Sequence, residues 1–156
     1  MSIAPSSPVT GGAQTSFTSP TYTLVSDNAA PNANSVQWAV SAIGGTQAGV
    51  TTHTVSSPFT LTVERPANFR LLGTPNPVTG VISNVPYNIY KIRVRKGVTP
   101  ASGQSPRVAL AELFLKIPAG ADSYDAANIK AMCSLAIGSI WAESADVGQA
   151  MQDGLI

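Results

Sequence analysis

Charge is scarce in this chain: Lys and Arg number 9 and Asp and Glu 8, together 11% of 156 residues, against about 25% in an ordinary soluble domain. Much of the surface is therefore uncharged, which suits a protein covered by copies of itself, because interface cores are depleted of charge. It equally suits a Ser/Thr-rich extracellular β-protein. Cysteine is nearly absent, and a lone Cys133 excludes an intrachain disulfide and any thiolate cluster for zinc. The single histidine, His53, supplies no metal-ligand spacing, so no metal and no cofactor is expected. Long apolar runs are missing too: no stretch of about 18 apolar residues occurs, and the N-terminus has neither a basic segment nor an apolar core of signal-peptide type. A soluble, unexported, non-membrane protein is the expectation. No phosphate loop, dinucleotide fingerprint or nucleophile elbow occurs, and His53 and Cys133 lie in dissimilar settings. No catalytic residue is assigned and no enzyme is expected.

The charge that is present is unevenly placed. Lys91, Arg93, Arg95 and Lys96 fall within six residues, the first 63 residues carry Asp27 alone, and from Ala119 onward five acids face a single Lys130. A chain so polarised presents one basic side and one acidic or neutral side.

Hydropathy alternates with period 2 over most of the chain. Residues 17–25, 35–42, 59–65, 90–96 and 107–117 read as strands, separated by Gly, Pro and Asn clusters. In 59–65 the alternation places Phe59, Leu61 and Val63 on one face and Thr60, Thr62 and Glu64 on the other. In 90–96, Ile92 and Val94 oppose Lys91, Arg93 and Arg95; in 107–117, Leu113, Leu115 and Ile117 oppose Leu110, Glu112 and Phe114. Residues 66–88 read as a long loop with a small hairpin near 78–82, and 97–106 as a flexible connection.

After Pro118 the period becomes 3.6. Asp122 reads as a helix N-cap with Asp125 three residues on, and Ile129, Met132, Cys133, Ala136, Ile137 and Ile140 form an apolar stripe. Gly138 and the 143–144 step suggest a break, with a second helix from about 144 to 154. The chain is thus a single α+β domain, strands and loops over about 1–118 and two helices over about 122–154. Two helices are a small cover for such a sheet, and counting elements predicts that a second copy completes the core. Trp38 and Trp141 read as core or interface anchors.

The face bearing Thr60, Thr62, Lys91, Arg93, Arg95 and Glu112 has no remaining element to cover it. Cations at alternate strand positions stand about 6.6 to 6.8 Å apart, a spacing that lets them reach successive phosphates of one backbone. A charged strand face is ordinarily just solvated; here the cations lack acids beside them in sequence.

Four segments carry a likeness to a known family: 30–38 (APNANSVQW), 59–66 (FTLTVERP), 90–96 (YKIRVRK) and 111–118 (AELFLKIP), the last leading into the helical tail. In order and spacing the chain from about residue 21 resembles the coat proteins of single-stranded RNA bacteriophages, the levivirus-like group. The resemblance implies an N-terminal β-hairpin and a five-stranded antiparallel sheet followed by two helices that cross onto a partner's sheet, making an interlocked homodimer. It implies assembly of dimers into a T=3 icosahedral shell in the bacterial host cytoplasm, with the chain ending up in the virion. The sheet would face single-stranded viral RNA, including a hairpin operator whose binding represses translation. The phage maturation protein is a further implied partner.

By segment matching, the RNA-binding residues become Thr60, Thr62, Lys91, Arg93 and Arg95, with Glu112 on the same surface. Leu110 stands where relatives place a base-stacking tyrosine. The dimer interface falls to Ile129, Met132, Cys133, Ile137, Ile140 and Trp141. The 97–107 segment matches the loop that meets neighbouring dimers, giving Gly97, Pro100, Gly103 and Pro106 a role in assembly. Two alternatives stay open: a dimeric RNA-binding repressor that forms no shell, and an extracellular adhesion or fibre module.

Overall fold

The computed structural model describes residues 3–155. Its body is one six-stranded sheet in the order β1-β2-β3-β4-β5-β6, every neighbouring pair antiparallel. The strands are β1 (Val9–Thr10), β2 (Thr18–Asp27), β3 (Ser35–Thr46), β4 (Phe59–Glu64), β5 (Tyr87–Val98) and β6 (Arg107–Pro118). The expected N-terminal hairpin is β1–β2, and it belongs to the same sheet as the other strands. Three helices follow, α1 (Ala121–Tyr124), α2 (Ala126–Ala142) and α3 (Ser144–Asp153). Among the described residues no helix is long and apolar enough to cross a membrane.

Cross-strand register sorts the side chains. Trp38 pairs with Leu61, Leu61 with Val94 and Val94 with Ala111, while Val63 pairs with Ile92 and Ile92 with Leu113; partners opposite one another share a face, so these make an apolar face. The other face carries Gln37, Thr62, Arg93 and Glu112 in one row and Ala39, Thr60, Arg95 and Leu110 in the next.

Several boundaries differ from those read in the sequence. Strand β5 runs through Gly97 to Val98, so Gly97 is a buried strand residue opposite Val108 and not part of the flexible connection. Its N–H donates to the Pro58 carbonyl at 2.6 Å, and a Cβ there would fall 2.7 Å from Ser57 Cα. The glycine is needed for close backbone approach, a use that composition alone does not separate from flexibility. The hairpin expected near 78–82 is a turn without strand pairing. Asn76 Oδ1 accepts the N–H groups of Val78 and Thr79 there in place of a ladder.

Asp122 lies inside α1; the N-cap is Gly120, at φ +87°, where its missing Cβ leaves room for Leu72. Asp125 separates α1 from α2, and its carboxylate accepts both hydrogen bonds from Asn128 Nδ2 at 2.9 Å. The helix does not break at Gly138: α2 is continuous to Ala142, and Glu143 divides it from α3. One glycine costs only about 1 kcal/mol in a helix, too little to stop a 17-residue one. Gly154 at φ +71° ends α3, as the sequence led one to expect. The start of α3 is pinned to the N-terminal segment: Ser144 Oγ donates to the Ala13 carbonyl at 2.9 Å and Gln14 Nε2 to the Ser144 carbonyl at 2.9 Å.

Helix α2 buries no residue against its own chain. Ile129 and Cys133 line an apolar groove with Tyr90, Leu115 and Ile117 at the end of the sheet. Met132, Leu135, Ile137, Ile140 and Trp141 point into solvent, Leu135 with 74% of its surface exposed. Lys130 is the one charge along α2, so the helix is apolar around most of its circumference, the pattern of a helix buried on several sides. Its own chain covers one narrow stripe.

Candidate RNA-binding face

Strands β4, β5 and β6 bring all six sequence-predicted residues onto the polar face. Thr60 stands opposite Arg95, Thr62 opposite Arg93, and Arg93 opposite Glu112; Lys91 lies opposite Glu64. The period-2 alternation that hides Leu61, Ile92, Val94 and Leu113 on the apolar side necessarily collects these groups on the other.

Register also supplies what the linear sequence concealed. Arg93 Nε lies 2.6 Å from Glu112 Oε1 and Lys91 Nζ lies 3.4 Å from Glu64 Oε1. Two of the three cations therefore have carboxylate partners across the ladder, although no acid lies beside them in sequence. Lys91 also sits 5.8 Å from the centroid of the Phe114 ring, within reach of a cation–π attraction. Arg95 makes no ion pair among the described residues, which leaves it the freest charge on the face for a phosphate.

The two threonines are not laid open as the sequence suggested. Thr60 is 1% and Thr62 2% exposed; Thr62 sits in its row between the longer Gln37 and Arg93, and Thr60 beside Arg95. Thr62 Oγ1 donates to Gln37 Oε1 at 2.8 Å, and Gln37 Nε2 donates to Asp27 Oδ2 at 2.8 Å. This relay runs across three strands. The Asp27 carboxyl is held below its ordinary range, first by the Ala29 backbone N–H and then by Gln37. Thr60 Oγ1 has no partner, and a buried hydroxyl without one is costly. Gln37 and Asp27 escaped sequence reading. Their signal was the alternation in β3 and β2, but register alone places them beside Thr62.

At the end of the face an open cavity of about 500 Å³ is lined by Asn32, Asn34, Glu64, Arg65, Arg70 and Lys91, among others. It continues the same polar surface beyond the strands. Leu110 is exposed beside Arg95, an apolar side chain with no ring to stack on a base.

The other sequence-predicted residues fall elsewhere. Ile129, Met132, Cys133, Ile137, Ile140 and Trp141 all lie on α2, split between the groove and solvent. Pro100, Gly103 and Pro106 lie in the β5–β6 connection, Gly103 at φ +75°. His53 has a structural use: its Nδ1 accepts the Phe59 backbone N–H at 3.0 Å. Among the described residues no group of His, Cys, Asp and Glu could hold a metal ion.

A two-faced sheet whose apolar side is only half-buried, together with a helix that is apolar where its own chain leaves it uncovered, defines the subunit of an assembly and not a freestanding domain. No protein-family model matches the chain, and no curated protein matches it. Among solved structures it is similar to the virus-like particle of bacteriophage ESE020, with TM-score 0.96 and 55% identity, spanning 99% of this chain and 100% of that one. The virus-like particle of Beihai levi-like virus 32 shows 16% identity, TM-score 0.47 and coverage of 86% and 88%. The chain belongs to the levivirus-like coat proteins, the structural capsid subunits of single-stranded RNA bacteriophages.

Proposed function

We propose that the chain forms an interlocked homodimer, that dimers assemble into an icosahedral T=3 shell, and that the polar sheet face binds the packaged single-stranded RNA. The observation that carries this reading is the two-sidedness of the sheet. Its own α2 meets the apolar face only at one end, in the groove of Tyr90, Leu115 and Ile117, while the rest of α2 offers uncovered apolar side chains, so exchange of α2 between two copies satisfies both at once. Each fully buried Leu or Ile contributes about 1.5 to 3 kcal/mol, and Leu135, Ile137, Ile140 and Trp141 are all exposed in the single chain.

On the polar face Arg95 serves a phosphate, while the Thr60 hydroxyl, in a side chain 1% exposed, lies beneath that surface. Glu112 holds Arg93 in place and has a second carboxylate oxygen to accept from a base amino group. Reduced net charge on this face favours selective contacts over indiscriminate attraction to polyanions, which supports binding of a genomic hairpin and translational repression. The maturation protein and assembly in the host cytoplasm belong to the same reading. The chain performs no catalysis in it.

Size-exclusion chromatography with light scattering and the 260/280 nm absorbance ratio tests the reading on the chain expressed alone. A megadalton peak with nucleic-acid absorbance is the expected result. A dimer that binds RNA without assembling would indicate a repressor only, and a nucleic-acid-free monomer would overturn the assembly and the RNA binding together.

A further inference from the structure

The connection between β4 and β5 meets the polar face only at its base, where Arg65 and Arg70 line the end cavity, and extends as an arm beyond it. Residues 65–86 contain Arg65 and Arg70 and no acid. Every residue from 67 to 81 is exposed, including Leu71 at 82% and Val78 at 91%. The segment is nonetheless tied down at both its base and its tip. The Arg70 N–H donates to Asn88 Oδ1 at 2.8 Å, and Asn88 Nδ2 donates back to the Arg70 carbonyl at 3.0 Å. At the tip, Asn76 Oδ1 accepts the N–H groups of Val78 at 2.8 Å and Thr79 at 3.1 Å, and the Asn76 N–H donates to the Val81 carbonyl at 3.0 Å. Leu72 rests against Gly120. Chain order has been imposed here without burial of the apolar side chains, which is the condition of a preorganised docking element.

A matching surface lies on α3. Val147, Ala150 and Leu155 line an open groove edged by Glu143, Asp146 and Asp153, and no basic residue occurs between 143 and 155. We propose that the arm of one copy docks in the α3 groove of a second copy, with Leu71 and Val78 on its apolar floor and Arg70 among its carboxylates. Charge and hydropathy are complementary on the two surfaces, and an acidic groove repels RNA. Within a shell each chain supplies one arm and one α3 groove, so a second copy matches the arm in number. The inference rests on the capsid reading for the presence of many copies.

The test replaces Val78 by the photoreactive benzoyl-phenylalanine in a mixture of isotope-labelled and unlabelled chains, irradiates the assembled protein and maps cross-links by mass spectrometry. Cross-links from position 78 to residues 143–155 in mixed-isotope pairs are expected. Cross-links confined to one copy, cross-links to other surfaces, or none, would overturn the docking. A double variant, Leu71→Asp with Val78→Asp, keeps the Arg70–Asn88 anchor and should shift the megadalton peak to smaller species while the dimer persists. An unchanged peak would count against the arm. If the unaltered chain gives no megadalton peak, the capsid reading fails by itself, and the cross-links are read on whatever oligomer forms.

Discussion

Arg93 and Glu112 face each other across the β5–β6 ladder with Nε 2.6 Å from Oε1, so the central cation of the proposed RNA face already holds an acid. The pair is about a quarter exposed on each side. Its worth to stability is therefore small, and its effect on the field over the face matters more.

Glu112→Gln should release Arg93 to phosphate. Nonspecific single-stranded RNA is expected to bind more tightly, with the slope of log affinity against log salt steeper by about 0.7 for one added phosphate contact. Arg95→Ala should make the slope shallower by a similar amount. Filter binding across a salt series reads both, and identical slopes in all three proteins would remove the face from RNA binding.

Asp27 contributes a pH dependence of defined sign. Its folded carboxyl lies below the ordinary value because the Ala29 N–H and Gln37 hydrogen-bond the charged form. The associated stability is fully present above the unfolded carboxylate pKa and is lost as pH falls through the lowered folded value. Denaturant midpoints measured from pH 5 downward should therefore fall less steeply in Asp27→Asn than in the unaltered protein. Parallel curves would sever the Thr62–Gln37–Asp27 relay from stability.

Leu135→Asp and Ile129→Asp should fail differently. Leu135 is exposed in the single chain, so the aspartate costs an isolated protomer little but places an unpaired charge in the dimer core. A dissociated, folded chain is expected by light scattering and circular dichroism. Ile129 lies in the groove against Tyr90 and Leu115, and its aspartate should also lower the melting temperature. A normal dimer in Leu135→Asp would refute the exchange of α2 between copies.

His53→Ala should destabilise the protein without touching RNA affinity. It leaves the Phe59 N–H without its acceptor, at about 1 to 3 kcal/mol. Chemical denaturation and the RNA titration together check this, since a loss of affinity at unchanged stability would assign His53 a different task.

Period-2 alternation in 59–65 and 90–96 sufficed to place Thr60, Thr62, Lys91, Arg93 and Arg95 on one face, because a strand offers its side chains only two directions. The end of α3 at Gly154 was equally legible, since glycine readily adopts the left-handed conformation found there. The 3.6 period marked the stripe of α2 through Ile129, Cys133 and Ala136, yet it passed over Leu135, because a search for one face undercounts a helix that is apolar on several.

Partnerships between strands were beyond the linear chain. Lys91 and Glu64 are 27 positions apart and Gln37 and Thr62 are 25 apart, and only the sheet's register makes them neighbours. Burial of the threonines has the same origin: a short side chain is covered or open according to the residues in the next strands. Gly97 shows the limit most plainly. Composition marks a glycine as permissive, but whether it bends a loop or admits Ser57 against a strand depends on which backbone the fold brings beside it.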